Sequence, residues 1–180
     1  METSNVTIVR AAASDLARLQ AIGRQTFTET FAATNTPENM ARYLNEGFSA
    51  EKMAAELADA DSRFYLALDK EEVVGYLKIN TGSAQTELQD AAGMEIERIY
   101  VAAAYHGKKV AQLLYSRAIA VARELQAPYV WLGVWEKNPR AIAFYTKNGF
   151  VAFDKHIFRL GDDEQTDIMM RLELNDETPG

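Results

Sequence analysis

The eight residues Met94–Val101, MEIERIYV, change phase half-way along, and this is the strongest constraint the chain places on its own fold. Met94 and Ile96 alternate with Glu95 and Glu97, as in a strand with one apolar and one polar face. After Arg98 the apolar residues Ile99 and Val101 fall on what had been the glutamate face. Side chains on a strand alternate with a period of two, so a regular strand would turn one of these sets the wrong way. One reading is a β-bulge near Glu97–Ile99, whose extra residue restores the apolar face and leaves backbone N–H and C=O groups unpaired. Such groups can bind an extended ligand as though it were an added strand. The other reading is a strand buried on both faces, with Arg98 reaching out to solvent.

The flanking segments predict an α+β chain. A first strand over Val6–Arg10 is followed by a helix capped by Ser14 and Asp15 and running to about Phe31. Thr36-Pro37 opens a second helix and Ser49 caps a third. Arg63–Leu68 and Val73–Asn80 read as a hairpin across Asp69-Lys70-Glu71-Glu72. Residues 81–93, TGSAQTELQDAAG, form a loop long enough to suggest a functional or mobile element. Beyond the phase-changing strand come an amphipathic helix over Gly107–Leu125 and a buried strand over Tyr129–Val134. Asn138-Pro139 starts a helix that Asn148-Gly149 stops. Phe150–Leu160 and Thr166–Leu174 close the chain as strands around Gly161-Asp162-Asp163. With 180 residues, of which 48% are hydrophobic, residues 1–180 read as a single domain, with a disordered tail from about 175 to 180.

Charge excludes several partners. There are 26 Asp and Glu residues against 19 Lys and Arg, a formal charge of −7 that repels nucleic-acid backbones and anionic membranes at long range. The longest run without a charge, Leu125–Trp135, has 11 residues, too few to span a bilayer. The opening METSNVTIVR lacks the pattern of a secretory signal, so a cytoplasmic protein is expected. Cysteine is absent and only His106 and His156 are histidines, so neither a disulfide nor a metal site is expected.

Against that acidity, Lys108 and Lys109 stand out. Two lysines in the first turn of a helix carry the wrong sign for its positive end, unless an anion sits there. The alternative is a solvated Gly-Lys-Lys turn. Further on, Tyr145 lies almost two turns into the helix that Asn138 caps. Taken alone it reads as a core aromatic with its hydroxyl at a wet edge, and Trp131, Trp135 and Phe144 read as core or cleft lining.

In this order the segments EIERIY, WLGVWEKN and AIAFYTKNGF, with TPENMARYL and GDDEQTDIMM, resemble the GNAT-type N-acetyltransferases, and among them most closely the PaiA-type bacterial polyamine acetyltransferases. The resemblance spans Val6 to about Leu174. It implies a mixed, mostly antiparallel sheet of about six to seven strands flanked by helices, with a bulged and splayed central strand. It implies acetyl-CoA as co-substrate, no metal, and a small cationic amine such as spermidine or spermine as acceptor. Dimers are common in the superfamily, and the closing strands would serve as the interface of a homodimer. The backbone of Ile99, Tyr100 and Val101 would meet the pantetheine arm, and the pyrophosphate loop would fall on His106, Gly107, Lys108, Lys109, Val110 and Ala111. His106 stands where the family has Gln or Arg, and Lys109 where it has a glycine. Asn138 and Lys147 would also contact the cofactor, and Tyr145 would face its sulfur.

The reaction so implied is attack of a neutral amine on the thioester carbonyl. It needs a base, for which Glu97, or Glu95 through a water, is the candidate. It needs oxyanion donors, sought among the N–H groups around Ile99–Val101, and a donor to the departing thiolate, sought in Tyr145. Glu29, Glu38, Glu46, Asp162, Asp163 and Glu164 are the carboxylates that could attract a polycation, or simply solvate the surface. Acetylation of another small amine or of a protein amine, and a CoA-binding regulator with little turnover, are the alternative readings.

Overall fold

The computed structural model describes residues 6–86, 90, 92–160 and 163–174; the expected tail from about 175 lies outside them. The elements in chain order are β1 (Val6–Arg10), α1 (Leu16–Phe31), α2 (Pro37–Gly47), α3 (Ala50–Ala58), β2 (Ser62–Asp69), β3 (Glu72–Thr81), β4 (Met94–Val101), α4 (Val110–Glu124), β5 (Tyr129–Trp135), α5 (Pro139–Lys147), β6 (Val151–Leu160) and β7 (Asp163–Glu173). The strands form one seven-stranded sheet in the order β1-β2-β3-β4-β5-β7-β6. Every neighbouring pair is antiparallel except β4 and β5. The expected α+β, mostly antiparallel architecture is therefore present.

Local chemistry sets most boundaries as the sequence predicts. Thr36 Oγ1 accepts from Asn39 N–H at 3.1 Å, Ser49 Oγ from Lys52 N–H at 3.1 Å, and Asn138 Oδ1 from Ala141 N–H at 3.2 Å. Pro37 and Pro139 occupy the first helical positions, where their missing N–H costs nothing. Gly149, at φ +100°, ends α5 in a conformation that suits glycine. The start of α1 differs from expectation. Asp15 turns backwards, accepting from Ala12 N–H at 2.8 Å and from Arg18 Nη2 at 2.7 Å, and a short 3₁₀ turn over Ala13–Asp15 precedes the helix. The β2–β3 turn is also tighter than read, because Asp69 pairs directly with Glu72.

Helices cover both faces of the sheet. On one face α4 buries Val110, Leu114, Ala118 and Val121 against Leu77, Ile79, Met94, Ile96, Val130 and Leu132, and Tyr145 and Phe150 complete that core. On the other, α1–α3 bury Leu19, Ile22, Phe27, Met40 and Met53 against Phe64, Leu66 and Tyr76. Among the described residues no helix is long and apolar enough to cross a membrane.

The phase change in β4 is a bulge. Lys78 pairs with Arg98 but Ile79 pairs with Ile96, leaving Glu97 as the extra residue. Ile99 and Val101 thereby return to the face of Met94 and Ile96 and pack on the α4 core. On its other side β4 pairs with β5 only from Met94 to Ile96, against Val130 to Leu132. Past the bulge the two parallel strands lose their ladder, and a wedge opens between Glu97–Val101 and Gly133–Trp135.

Candidate active site

The wedge is the mouth of a cleft of about 400 Å³. Its lining includes Glu95, Glu97, Arg98, Ile99 and Tyr100 of β4, together with Trp131, Gly133 and Trp135 of β5. Asn138 and Tyr145 from α5, Phe27 and Phe31 of α1, Tyr43 of α2 and Phe48 just after it complete it. A recess of about 240 Å³ continues from it, sharing Thr30, Trp135 and Asn138, and adds Glu29, Val101, His106, Lys137 and Arg140. Residues expected from separate segments thus meet at one place.

Glu95 and Glu97 are two residues apart yet sit in opposite electrostatic settings. Burial raises the Glu95 carboxyl above the usual carboxylate range, although Thr86 Oγ1 donates to it at 2.6 Å, Thr86 N–H at 2.8 Å and Asn80 Nδ2 at 3.0 Å. At Glu97 burial acts the same way but is outweighed by Arg98 and Lys78, which hold the carboxyl at about 2. Lys78 Nζ lies 2.8 Å from Glu97 Oε1 and 3.2 Å from Glu56 Oε1, and Arg98 Nη2 lies 3.4 Å from Glu97 Oε2. A carboxylate held that low accepts a proton poorly at neutral pH. Glu97 is placed as the anion that compensates a buried lysine, and Glu95 has the stronger basicity.

Tyr145 is buried, its ring edge-on to Phe144 at 5.3 Å and to Phe150 at 5.6 Å, and it reaches the cleft from α5. Burial, with a small contribution from Tyr115, pushes its hydroxyl well above the ordinary tyrosine value, so the phenol stays protonated. It is a lasting hydrogen-bond donor.

The predicted phosphate loop is only partly as read. Helix α4 begins at Val110, so Lys108 and Lys109 precede it rather than filling its first turn. Lys109 occupies the cap position with φ +65°, a left-handed conformation that costs about 1–2 kcal/mol for a residue with a Cβ. That is the geometric reason for a glycine at this position in the resembled motif. Gly107 also has a positive φ, +82°. The side chains of His106, Lys108 and Lys109 are exposed, Val110 belongs to the core, and Lys147 is exposed at the end of α5. Neither Lys108, Lys109 nor Lys147 lines the cleft or the recess. His106 Nε2 donates to the Val101 carbonyl at 2.8 Å, and its Nδ1 accepts from Arg140 Nη1 at 2.8 Å. Since the carbonyl only accepts and the guanidinium only donates, these partners assign the ring proton to Nε2.

The acidic residues named for a cationic acceptor are mostly elsewhere. Glu38 and Glu46 are exposed on α2, and Glu164 pairs with Arg159 at 2.8 Å on the surface. Glu29 accepts from Ala103 N–H at 2.9 Å beside the recess. Asp162 and the side chain of Asp163 lie outside the described residues. Among the described residues, the carboxylates that line the cleft are Glu95, Glu97 and Asp167. Asp167 escaped the sequence reading, as did Lys78, although a lysine inside the apolar run of β3 was a signal. Of the 81–93 loop, residues 87–89 and 91 lie outside the described set. The rest is pinned, since Trp131 Nε1 donates to Gln85 Oε1 at 2.7 Å and Tyr129 Oη to Asp90 at 2.8 Å. Among the described residues no group of three or more acidic, His or Cys side chains could hold a metal ion.

Comparison with known proteins agrees with this geometry. The model of the acetyltransferase (GNAT) family matches residues 24–150. An uncharacterized N-acetyltransferase of Lactobacillus delbrueckii subsp. lactis is 39% identical over 95% of this chain and 99% of its own length. The spermidine N(1)-acetyltransferase of Thermoplasma acidophilum is 23% identical over 83% of this chain and 91% of its own. Among solved structures, the PaiA N-acetyltransferase of Thermoplasma acidophilum in complex with coenzyme A superposes with a TM-score of 0.78. It is 22% identical, with 94% of this chain and 99% of that one covered, which shows a shared fold.

Proposed function

The chain belongs to the GNAT family of acetyltransferases, and on that premise we propose that it acetylates a primary amine of a small cationic acceptor, a linear polyamine of the spermidine class. Acetyl-CoA is the co-substrate of the family, and transfer of its acetyl group is the activity. The observation that carries the finer reading is the wedge between β4 and β5, with Glu95 and Tyr145 both lining the cleft it opens into. The names of the Thermoplasma relatives support a polyamine, and so do the carboxylates in the cleft.

In this mechanism the pantetheine arm lies along Ile99–Val101 as an added strand. Asn138 and the recess around His106 and Arg140 receive the arm towards its phosphates, and the N-terminus of α4 with Lys108 and Lys109 faces the phosphates themselves. The acceptor ammonium gives its proton to Glu95, directly or through a water. The free amine then attacks the acetyl carbon, forming the C–N bond. N–H groups at the bulge hold the oxyanion, the C–S bond breaks, the Tyr145 hydroxyl gives its proton to the departing thiolate, and the proton shed by the acylated nitrogen returns to the phenolate through water. Exposed Val151 and Ile157 on the edge strand β6, 67% and 60% accessible, support the homodimer reading.

The test is release of CoA thiol across a panel of mono-, di- and polyamines. Turnover with linear polyamines is expected, and acetyl-CoA binding without release for any amine would sink the proposal. The double variant Lys108→Glu, Lys109→Glu is expected to raise KM for acetyl-CoA about tenfold, in keeping with the loss of charge-assisted contacts. KM for the amine should move far less; equal effects would contradict the phosphate assignment.

A further inference from the structure

The cleft has a second end whose chemistry differs from that around Glu95. On β5 the face turned to the cleft carries Trp131, Gly133 and Trp135. Register places Asp167 of β7 opposite Trp135, and His156 of β6 opposite Asp167. A Cβ added to Gly133 would stand 3.4 Å from Asp167 Oδ2, so the carboxylate reaches over the space the glycine leaves open. Tyr43, Tyr100 and Phe158 line the same cleft. Burial is the main reason that the Tyr43 and Tyr100 hydroxyls are raised, and the Asp167 charge adds to it in both, so that charge is felt across the cleft. The cations lining the cleft, Lys52 and Arg98, pair with Glu56 at 2.9 Å and Glu97 at 3.4 Å.

A carboxylate among aromatic faces recognises an alkylammonium by a charge-assisted hydrogen bond and by attraction of the cation to the ring faces. Glu95 pairs with Trp131 and Asp167 with Trp135, four residues or roughly 13 Å further along β5, so the two carboxylates lie at opposite ends of the cleft, a span for an extended linear polyamine. We propose that Asp167 holds a second ammonium group of the acceptor, with Trp135 beside it and Gly133 as the floor over which the alkyl chain passes. Asp167 is thus the residue that selects di- and polyamines over monoamines. The inference rests on the acetyl-transfer reading above and names the group that sets its acceptor class.

The experiment compares kcat/KM for a linear diamine with that for the alkylamine of equal length, in the full chain. Asp167→Asn is expected to lower the diamine-to-monoamine ratio about ten- to a hundredfold, the range for a lost charged hydrogen bond. Asp167→Ala, which removes the carboxylate altogether, should lower the same ratio at least as far. An unchanged ratio in both variants overturns the role of Asp167 while leaving acetyl transfer intact. A wild-type chain that transfers to no amine overturns the proposed function, and this inference with it.

Discussion

Replacement of Tyr145 by phenylalanine is expected to lower kcat by about a hundredfold, the lower end of what a positioned proton donor contributes. The change removes one hydroxyl and keeps the ring, so the edge-on packing with Phe144 and Phe150 survives. Because burial raises the phenol above its ordinary value, the proposed donor would stay protonated throughout the neutral range. The loss should therefore be uniform across that range, with KM for acetyl-CoA little altered. Single-turnover measurement of CoA release checks this, and an unchanged rate would remove Tyr145 from the chemistry.

The second large effect concerns Glu95. Glu95→Gln should lower kcat/KM for the amine by about a hundred- to a thousandfold and abolish the acidic limb of its pH profile. In the wild type the base form exists only above the raised carboxyl value, so activity rises as pH climbs through it. Stability has the opposite sign. A carboxyl raised above its ordinary 4.5 contributes stability below that value and loses it as pH rises through the folded one, so glutamine should not destabilise the protein at pH 7. Glu97→Gln is expected to behave in the reverse manner. Its carboxyl, lowered from 4.5 to about 2, contributes stability that is present above 4.5 and lost as pH falls towards 2. Removing it leaves the buried Lys78 with Glu56 as its carboxylate partner, at a cost of about 3 kcal/mol, the lower end of the range for breaking a buried pair. Urea unfolding at pH 7 separates the two variants, and equal stability losses would contradict these assignments.

What the sequence made legible was local. A two-residue period showed where a bulge would fall, and side-chain oxygens before Pro37, Ala50 and Pro139 fix helix starts, since both depend on near neighbours. The start of α4 was placed three residues early because nothing in the letters of Lys109 reveals its left-handed backbone. The different basicities of Glu95 and Glu97 were hidden for another reason. Two residues apart on one strand, they are distinguished by Lys78 and Asn80 from β3, Glu56 from α3 and Thr86 from the loop. Asp167 was lost among the surface acids because only the pairing of β7 with β5 shows that it faces inward.

The short ladder between β4 and β5 also has a mechanical side. Three rungs, at Met94, Ile96 and the residue between them, are the pairing that joins a four-stranded half-sheet to a three-stranded one. The sheet is thus zipped along its length except at this seam. An extended molecule lying beside Ile99–Val101 would continue the zip, so that the reagent would double as a structural rung. Loading the enzyme would then stiffen it, and discharge of product would loosen the same joint that the next molecule must enter.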